Sequence, residues 1–218
     1  MTTVLLLGCS GAGKSTILRE VERLVEAGEW PNVECLDSDR EIAHPDGGHI
    51  YNIHFQHGRL AATHVIATRE RGFLQSLPRT NVPRIIAAGP ALVSREPEFG
   101  EFAARVMPAC IYLEQTPESV LEALKRRRER HAIEPEVAQH RWFGSWDAGI
   151  RTRRQNDGTF AVLPDSEAIV NVRKECAPLM SKFERLTSPA SRFPAIQGPD
   201  DNALAQVLNH VRTVLFGS

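Results

Sequence analysis

The chain has 218 residues, 42% of them hydrophobic, which is enough for one well-buried domain but short for two. Its 26 basic and 27 acidic residues leave a formal net charge of -1, which excludes a strong overall field for nucleic acid or an anionic membrane. Four scattered cysteines without a CxxC pair argue against a structural zinc site. With no signal-peptide or membrane-spanning pattern, we expect a cytoplasmic protein.

The chain begins with a strand, a glycine loop and a helix. Residues 3–7 are continuously apolar, the pattern of a strand covered on both faces in a parallel sheet. After the loop, apolar side chains recur at helical spacing up to Gly28 and Pro31, which predict the end of the helix. These apolar positions are Ile17, Leu18, Val21, Leu24 and Val25.

Four more strands are predicted, at residues 33–36, 84–88, 109–113 and 193–197. Residues 60–77 have mixed helical character. Thr116 as N-cap and Pro117 at the first helical position predict a helix after the fourth strand, and an amphipathic pattern over residues 204–215 predicts a closing helix. Repeated strand and helix units indicate a three-layer α/β domain with a parallel sheet.

Residues 131–189 interrupt this alternation. They contain Trp142, Trp146 and an Asn156-Asp-Gly turn signal, and we predict that they form an inserted, mostly helical lid within a single domain spanning residues 1–218. The two tryptophans are four residues apart, so on a helix they would share one face. That face would either line an acceptor site or form the lid's own core.

The glycine loop matches the phosphate-binding pattern GxxxxGK[ST] at Gly8, Gly13, Lys14 and Ser15. Glycines allow successive backbone N–H groups to turn towards phosphates, the lysine reaches the β- and γ-phosphates, and the serine hydroxyl binds Mg²⁺. The helix that follows adds its positive end. We therefore predict that ATP contacts Gly8, Ser10, Gly11, Ala12, Gly13, Lys14, Ser15 and Thr16.

Two aspartates, Asp37 and Asp39, follow the second strand. On an extended chain they would lie on the same side, at the sheet edge where ligands bind in open α/β folds. One carboxylate could hold the metal shell while the other orients or deprotonates an attacking hydroxyl. Alternatively, the aspartates only cap backbone amides in a turn.

The sequence resembles the shikimate kinases over residues 1–130 and the closing strand and helix. The resemblance rests on the phosphate loop, on Leu36-Asp-Ser-Asp39, on Ile85-Ile-Ala-Ala-Gly-Pro-Ala-Leu92, and on Ile111-Tyr-Leu-Glu-Gln-Thr-Pro-Glu118 with the arginine run after it. It implies a P-loop kinase fold with sheet order 2-3-1-4-5, ATP with Mg²⁺, and a small hydroxylated acceptor. It also implies that Asp37, with Ser15, serves the metal and that Asp39 holds the acceptor hydroxyl.

The resemblance breaks down around the acceptor. Shikimate kinases carry three glycines after the third strand, whereas this chain has Ala88-Gly89-Pro90, so only Gly89 is retained as an acceptor-binding candidate. Arg59 or Arg69 could correspond to an acceptor-binding arginine of the family, and either could also be an ordinary surface charge. We expect a relative of the shikimate kinases with a different acceptor.

Basic residues cluster at the end of the helix after the fourth strand. Arginine binds phosphate oxygens through its planar fork, and kinases of this type place arginines here to close over the nucleotide. Basic residues also favour helix C-termini for electrostatic reasons alone. We predict Arg126 and Arg130 as the lid arginines because they share a helix face, with Arg151, Arg153 and Arg154 as a second candidate group.

Together these features predict an enzyme, an ATP-dependent phosphotransferase acting on a hydroxyl of a small metabolite, with Lys14, Asp37, Asp39, Arg126 and Arg130 as catalytic residues. Two alternatives remain open. One is a kinase of nucleosides, nucleotides or polynucleotide ends, in which the tryptophans would stack on a base. The other is a regulatory module that binds ATP without transferring phosphate. No membrane partner is expected, and the oligomeric state is not predicted.

Overall fold

The computed structural model describes residues 2–46, 50–77, 81–130, 150–154, 156, 160–198 and 201–217. Within these ranges the side chains of residues 51, 54, 55, 58–60, 127–130, 154 and 160 are not described. Five parallel strands form one sheet in the order β2-β3-β1-β4-β7. Their bounds are β1 Thr3–Leu7, β2 Glu34–Asp37, β3 Arg84–Ala87, β4 Ala109–Glu114 and β7 Arg192–Pro194. Two short antiparallel strands, β5 Thr152–Arg154 and β6 Phe160–Val162, form a separate ribbon.

Seven α-helices occur in the described part of the chain: α1 Lys14–Glu26, α2 Ser38–Ala43, α3 Ile50–Ser76, α4 Glu98–Val106, α5 Pro117–Arg130, α6 Asp165–Leu186 and α7 Asn202–Phe216. The start of α5 follows the predicted capping pattern, since the Ser119 amide donates to Thr116 Oγ1 at 3.2 Å and Pro117 occupies the first helical position. No helix among the described residues combines the length and apolarity needed to cross a bilayer.

The sheet separates two hydrophobic cores, which makes the domain three-layered. Successive residues of β1 point to opposite faces, so Val4 and Leu6 pack against α1 and α7 while Leu5 and Leu7 pack on the other face. Helices α2 to α6 cover that second face. All five β1 residues are buried, as expected for the central strand of a parallel sheet. The predicted fold class and sheet order are confirmed, with β7 as the fifth predicted strand.

Predicted and observed elements differ most at their ends. The second strand ends at Asp37, one residue later than predicted, and the last strand ends at Pro194, after which the Ile196 amide bonds to Ala12 of the loop instead of to β4. The helix predicted from residue 60 begins at Ile50. Helices α2 and α4 were not predicted, since short helices leave too few residues for a clear period.

One local prediction about the aspartates is wrong. Asp37 and Asp39 do not share one side of an extended chain, because helix α2 begins at Ser38. The Asp37 side chain caps this helix by accepting a hydrogen bond from the Asp39 backbone N–H at 3.1 Å. An aspartate at the N-cap satisfies an amide that the helix leaves open, so the turn starts here instead of continuing the strand.

The segment predicted as a lid includes one core helix. Helix α6 places Ala168, Val172, Cys176 and Phe183 in the core beneath the sheet, and the Phe183 ring lies 5.4 Å from that of Tyr112 on β4. This buried face packs α6 against the sheet. Helix α6 therefore belongs to the core of the domain and not to the lid predicted at residues 131–189. Residues 131–149, including Trp142 and Trp146, lie outside the described residues, and a lid there remains a prediction.

Candidate active site

The conformation of the loop between β1 and α1 depends on its glycines, most clearly at two positions. Gly11 and Gly13 have φ angles of 80° and 95°, in the left-handed region that glycine adopts most readily. Space is also restricted, since a Cβ at Gly11 would lie 2.3 Å from Ala123 Cβ and one at Gly13 would lie 2.4 Å from Ile196 Cβ. The loop backbone therefore packs closely against α5 and the segment after β7.

Contacts from distant segments hold this loop in place. The Ile196 amide donates to the Ala12 carbonyl at 3.0 Å, and the Gln115 side chain donates to the Ser10 carbonyl at 3.4 Å. Gly13 is the N-cap of α1, so no side chain covers the positive end of that helix. A helix N-terminus with its first amides exposed is suited to binding an anion such as phosphate.

The two polar side chains that end the loop motif, Lys14 and Ser15, are both hydrogen-bonded. The Lys14 ammonium donates to the carbonyls of Gly8 and Cys9, at 2.7 Å and 3.1 Å. The Ser15 hydroxyl donates to Asp37 Oδ2 at 2.8 Å. Asp37 thus caps α2 through one oxygen, as the alternative interpretation expected, and accepts from Ser15 through the other, while its role towards a metal remains a prediction.

Ser15 and Asp37 form a donor set that fits Mg²⁺. Mg²⁺ prefers oxygen ligands and in nucleotide sites takes one or two protein oxygens together with phosphates and waters. A hydroxyl and a carboxylate in contact beside a phosphate-binding loop meet that requirement. No cluster of three His, Cys, Asp or Glu side chains that could hold a metal is found in the described ranges.

Asp39 lies at the end of β3, against Gly89. A Cβ on Gly89 would come within 2.2 Å of Asp39 Oδ1, so residue 89 must be glycine if this carboxylate keeps its position. Ser38, which is fully buried, joins the two strand ends by accepting a hydrogen bond from the Gly89 amide at 2.7 Å. The structure therefore brings Asp37, Asp39 and Gly89 to one edge of the sheet.

A buried ion pair, Glu70–Arg95, is influenced by the charge of Asp39. Arg95 forms an ion pair with Glu70, which is 3% exposed, and burial raises the pKa of Glu70 although the Arg95 charge opposes the shift. The negative charge of Asp39 adds to this increase in pKa.

Arg69, one of the two candidates for acceptor binding, has partners within the fold. Its guanidinium donates to the Ile42 carbonyl at 3.0 Å and forms an ion pair with buried Asp46. These contacts fasten α3 to the end of α2. Arg59 belongs to the same helix, but its side chain lies outside the described part of the chain.

The predicted lid arginines fall in different places. Arg126 is exposed and donates to Gln197 Oε1 at 3.0 Å, which places it over the segment that contacts the phosphate loop. Arg151 is 7% exposed, and Arg153 pairs with Glu167 on the surface. The side chains of Arg130 and Arg154 are not described.

Sequence reasoning missed Ser38, the Glu70–Arg95 pair and Gln197. Ser38 could have been considered from the sequence, because it lies directly between the two predicted aspartates. Glu70, Arg95 and Gln197 come from three distant segments, and nothing in their local sequence marks them as neighbours of the site.

The phosphate loop, the strand order and the aspartates at the strand ends define a P-loop kinase fold. The structure is similar to that of a shikimate kinase from Acinetobacter baumannii in complex with shikimate, with TM-score 0.58, 20% identity and coverage of 100% of this chain and 95% of that chain. It is also similar to shikimate kinases from Bacteroides thetaiotaomicron and Aquifex aeolicus. Their TM-scores are 0.54 and 0.50, their identities 15% and 14%, and the coverage is 98% of both chains for the former and 100% of both for the latter. No family model and no curated protein matches the sequence.

Proposed function

We propose that the protein is an ATP-dependent kinase that transfers the γ-phosphate of ATP to a hydroxyl group of a small metabolite. The observation that carries this proposal is the Ser15–Asp37 contact at the mouth of the phosphate loop, with Asp39 two residues further on and packed against Gly89. In this proposal Ser15 and Asp37 are the metal-binding pair, and Asp39 is a second carboxylate near the same phosphate loop. Phosphoryl transfer depends mainly on such positioning and on neutralising charge.

Each group has a proposed task. The Lys14 ammonium turns from the loop carbonyls to the β- and γ-phosphates, and the loop amides bind their oxygens. Ser15 and Asp37 would hold Mg²⁺, which neutralises phosphate charge. Asp39 orients the acceptor hydroxyl and accepts its proton, and Arg126 neutralises charge on the nucleotide.

We further propose that the acceptor is not shikimate. Where shikimate kinases carry three glycines, Ala88 and Pro90 flank Gly89 in this chain. The Gly89 amide is bonded to Ser38, and Pro90 has no N–H, so neither residue can donate a backbone hydrogen bond to an acceptor. Arg69 and Arg95 are already paired with carboxylates. An acceptor screen should therefore include neutral polyols and sugars as well as hydroxy acids.

The test is an ATP-consumption screen of the purified protein against hydroxy acids, sugars, polyols, nucleosides and oligonucleotide ends. We expect acceptor-dependent turnover that falls by about 10²–10⁴-fold in Asp39→Asn, the range typical of losing a general base. Asp165→Asn is the matched control, since this aspartate is exposed and pairs with Lys125 on the surface.

Two outcomes would contradict the proposal. If Asp39→Asn retains the full rate, Asp39 has no part in transfer. If every acceptor fails while ATP binds tightly, the protein binds the nucleotide without phosphorylating a small molecule.

A further inference from the structure

Strand β2 ends one step before its ladder with β3 would be complete. The register of the two strands places Asp37 opposite Ala87. Another step would place Ser38 opposite Ala88, and a parallel ladder would then bond the next amide, that of Gly89, to the Ser38 carbonyl. The neighbouring β1–β3 ladder follows this rule at the same level of the sheet. The chain turns into helix α2 at Ser38 instead, so the buried amide of Gly89 needs another acceptor.

The Ser38 side chain takes the place of that carbonyl. Its Oγ accepts the Gly89 amide at 2.7 Å, and the residue is fully buried. Because a buried amide without a partner is strongly disfavoured, this bond allows β2 to end here while the backbone of Gly89 stays fixed. Alanine at position 38 would have no side-chain atom that could accept the amide, whereas threonine would keep one.

This hydrogen bond lies next to the carboxylate that the proposed reaction uses. A Cβ on Gly89 would overlap Asp39 Oδ1 and would lie 3.3 Å from Ser38 Oγ, so the three residues are packed tightly together. Ser38 is joined to Asp39 through the chain and to Gly89 through its hydroxyl. The bond therefore ties the Asp39 segment to the backbone against which its carboxylate packs.

We propose that Ser38 is a positioning residue for phosphoryl transfer, which holds the Gly89 backbone so that the Asp39 carboxylate stays at the acceptor hydroxyl. Since Ser38 is fully buried, it acts through these two residues and does not itself touch the acceptor. The proposal rests on the proposed function, because it assigns Ser38 a part in that same reaction. It adds a residue whose loss should affect transfer and spare nucleotide binding.

The first measurement does not depend on catalysis. Amide hydrogen exchange of the isotope-labelled full chain, followed by NMR, should show the Gly89 amide exchanging at least about tenfold faster in Ser38→Ala than in the unaltered protein. The Ala88 amide, which bonds to the Leu6 carbonyl at 3.1 Å, should keep its protection and so corrects for any global loss of stability. Unchanged exchange at Gly89 would overturn the hydrogen bond as a restraint.

The second measurement divides the effect of Ser38→Ala between turnover and ATP binding. With an acceptor from the screen, kcat should fall by about 10–100-fold, as expected when a reacting group is misplaced by about 1 Å. The Kd for ATP should not change, because the bond between Ser15 and Asp37 is not altered. A merely structural role would lower turnover and ATP-binding capacity by the same factor, and that result would overturn the proposal.

Two further variants complete the test. Ser38→Thr retains a hydroxyl and should restore both the protection of Gly89 and kcat. Thr187→Val is the matched control, because it removes a buried hydroxyl that donates to the Phe183 carbonyl at 2.9 Å, before the start of β7 and so at the opposite end of the sheet. It should leave kcat unchanged. A threonine variant that protects Gly89 but turns over as slowly as Ser38→Ala would overturn the positioning role.

Failure of this inference and failure of the proposed function give different results. Faster exchange at Gly89 in Ser38→Ala with an unchanged kcat would overturn the role of Ser38 and leave the kinase intact. If the unaltered protein turns over no acceptor, the proposed function fails and the role of Ser38 in transfer fails with it. Exchange at Gly89 would in that case still decide whether Ser38 restrains the backbone.

Discussion

The candidate site has two sides, which we name by their proposed roles: a phosphate side around residues 8–15 and an acceptor side around Asp39 and Gly89. These two sides are built in different ways. On the phosphate side, residues 8–15 form a contiguous loop whose conformation depends on its own glycines, and the distant side chain of Asp37 accepts a hydrogen bond from Ser15. On the acceptor side, three separate segments contribute: Asp39 from α2, Glu70 from α3, and Gly89 with Arg95 from the connection between β3 and α4. The first region follows from a local pattern, whereas the second exists only after the chain has folded.

This difference can be tested from the phosphate side by Lys14→Met. Removing the ammonium should weaken ATP binding and reduce turnover by at least about 100-fold, because no other group of the loop neutralises the transferring phosphate in the same way. Isothermal titration with ATP and a coupled turnover assay would measure both effects. Lys174→Met is the matched control on an exposed face of α6. Unchanged ATP affinity in Lys14→Met would contradict the assignment of the loop.

On the acceptor side, Gly89→Ala should separate transfer from nucleotide binding. The backbone of Gly89 lies outside the left-handed region, so alanine can adopt it, but the new Cβ would displace Asp39 Oδ1 from its position 2.2 Å away. We expect turnover to fall by about 10–100-fold, as expected when a reacting group is misplaced by about 1 Å, with ATP affinity unchanged. Gly72→Ala is the control, since a Cβ there meets nothing within 4 Å. Equal loss of ATP affinity would show that the two sides are not independent.

Arg126→Ala tests whether this predicted lid arginine contacts the nucleotide. The Arg126–Gln197 contact is exposed, so its loss should leave the unfolding midpoint unchanged. The KM for ATP should rise by about 3–10-fold if the guanidinium contacts the nucleotide. Lys125→Ala is the matched control, because Lys125 lies on the same helix as Arg126 and pairs with Glu122 of that helix and with Asp165 of α6. A KM for ATP equal to that of the unaltered protein would show that Arg126 is a surface charge that does not contact the nucleotide.

The smallest expected effect is a pH dependence caused by Glu70. Burial raises its pKa above the ordinary value of 4.5, so the folded protein binds this proton more tightly than the unfolded chain. Its contribution to stability is therefore complete below about pH 4.5 and is lost as the pH rises through the folded-state pKa. Urea unfolding across this range should show the native protein losing stability relative to Glu70→Gln. Parallel pH profiles would mean that the Glu70 carboxyl is not desolvated.

Much of the fold could be predicted from local pattern. The apolar run at residues 3–7 predicted β1 without error, and Thr116 with Pro117 predicted the start of α5. Helix α6 was assigned to the lid because its apolar positions lie among charged residues and nothing local shows which surface they cover. Residues 37–39 were predicted to be extended, with a capping turn as the alternative, and the bond from the Asp39 amide to Asp37 shows that the turn is formed.

The sequence alone determined the anion-binding loop, since glycines at fixed spacing before a helix allow only a few backbone conformations, and these direct amides towards one point. It also indicated the five strands of the parallel sheet, since buried strands require continuous apolar residues, although β5 and β6 were not predicted. Tertiary structure decided the position of Asp39 against Gly89 and the pairing of Glu70 with Arg95. These contacts join residues far apart in the chain, and they depend on how helices pack on the sheet, which no local pattern specifies.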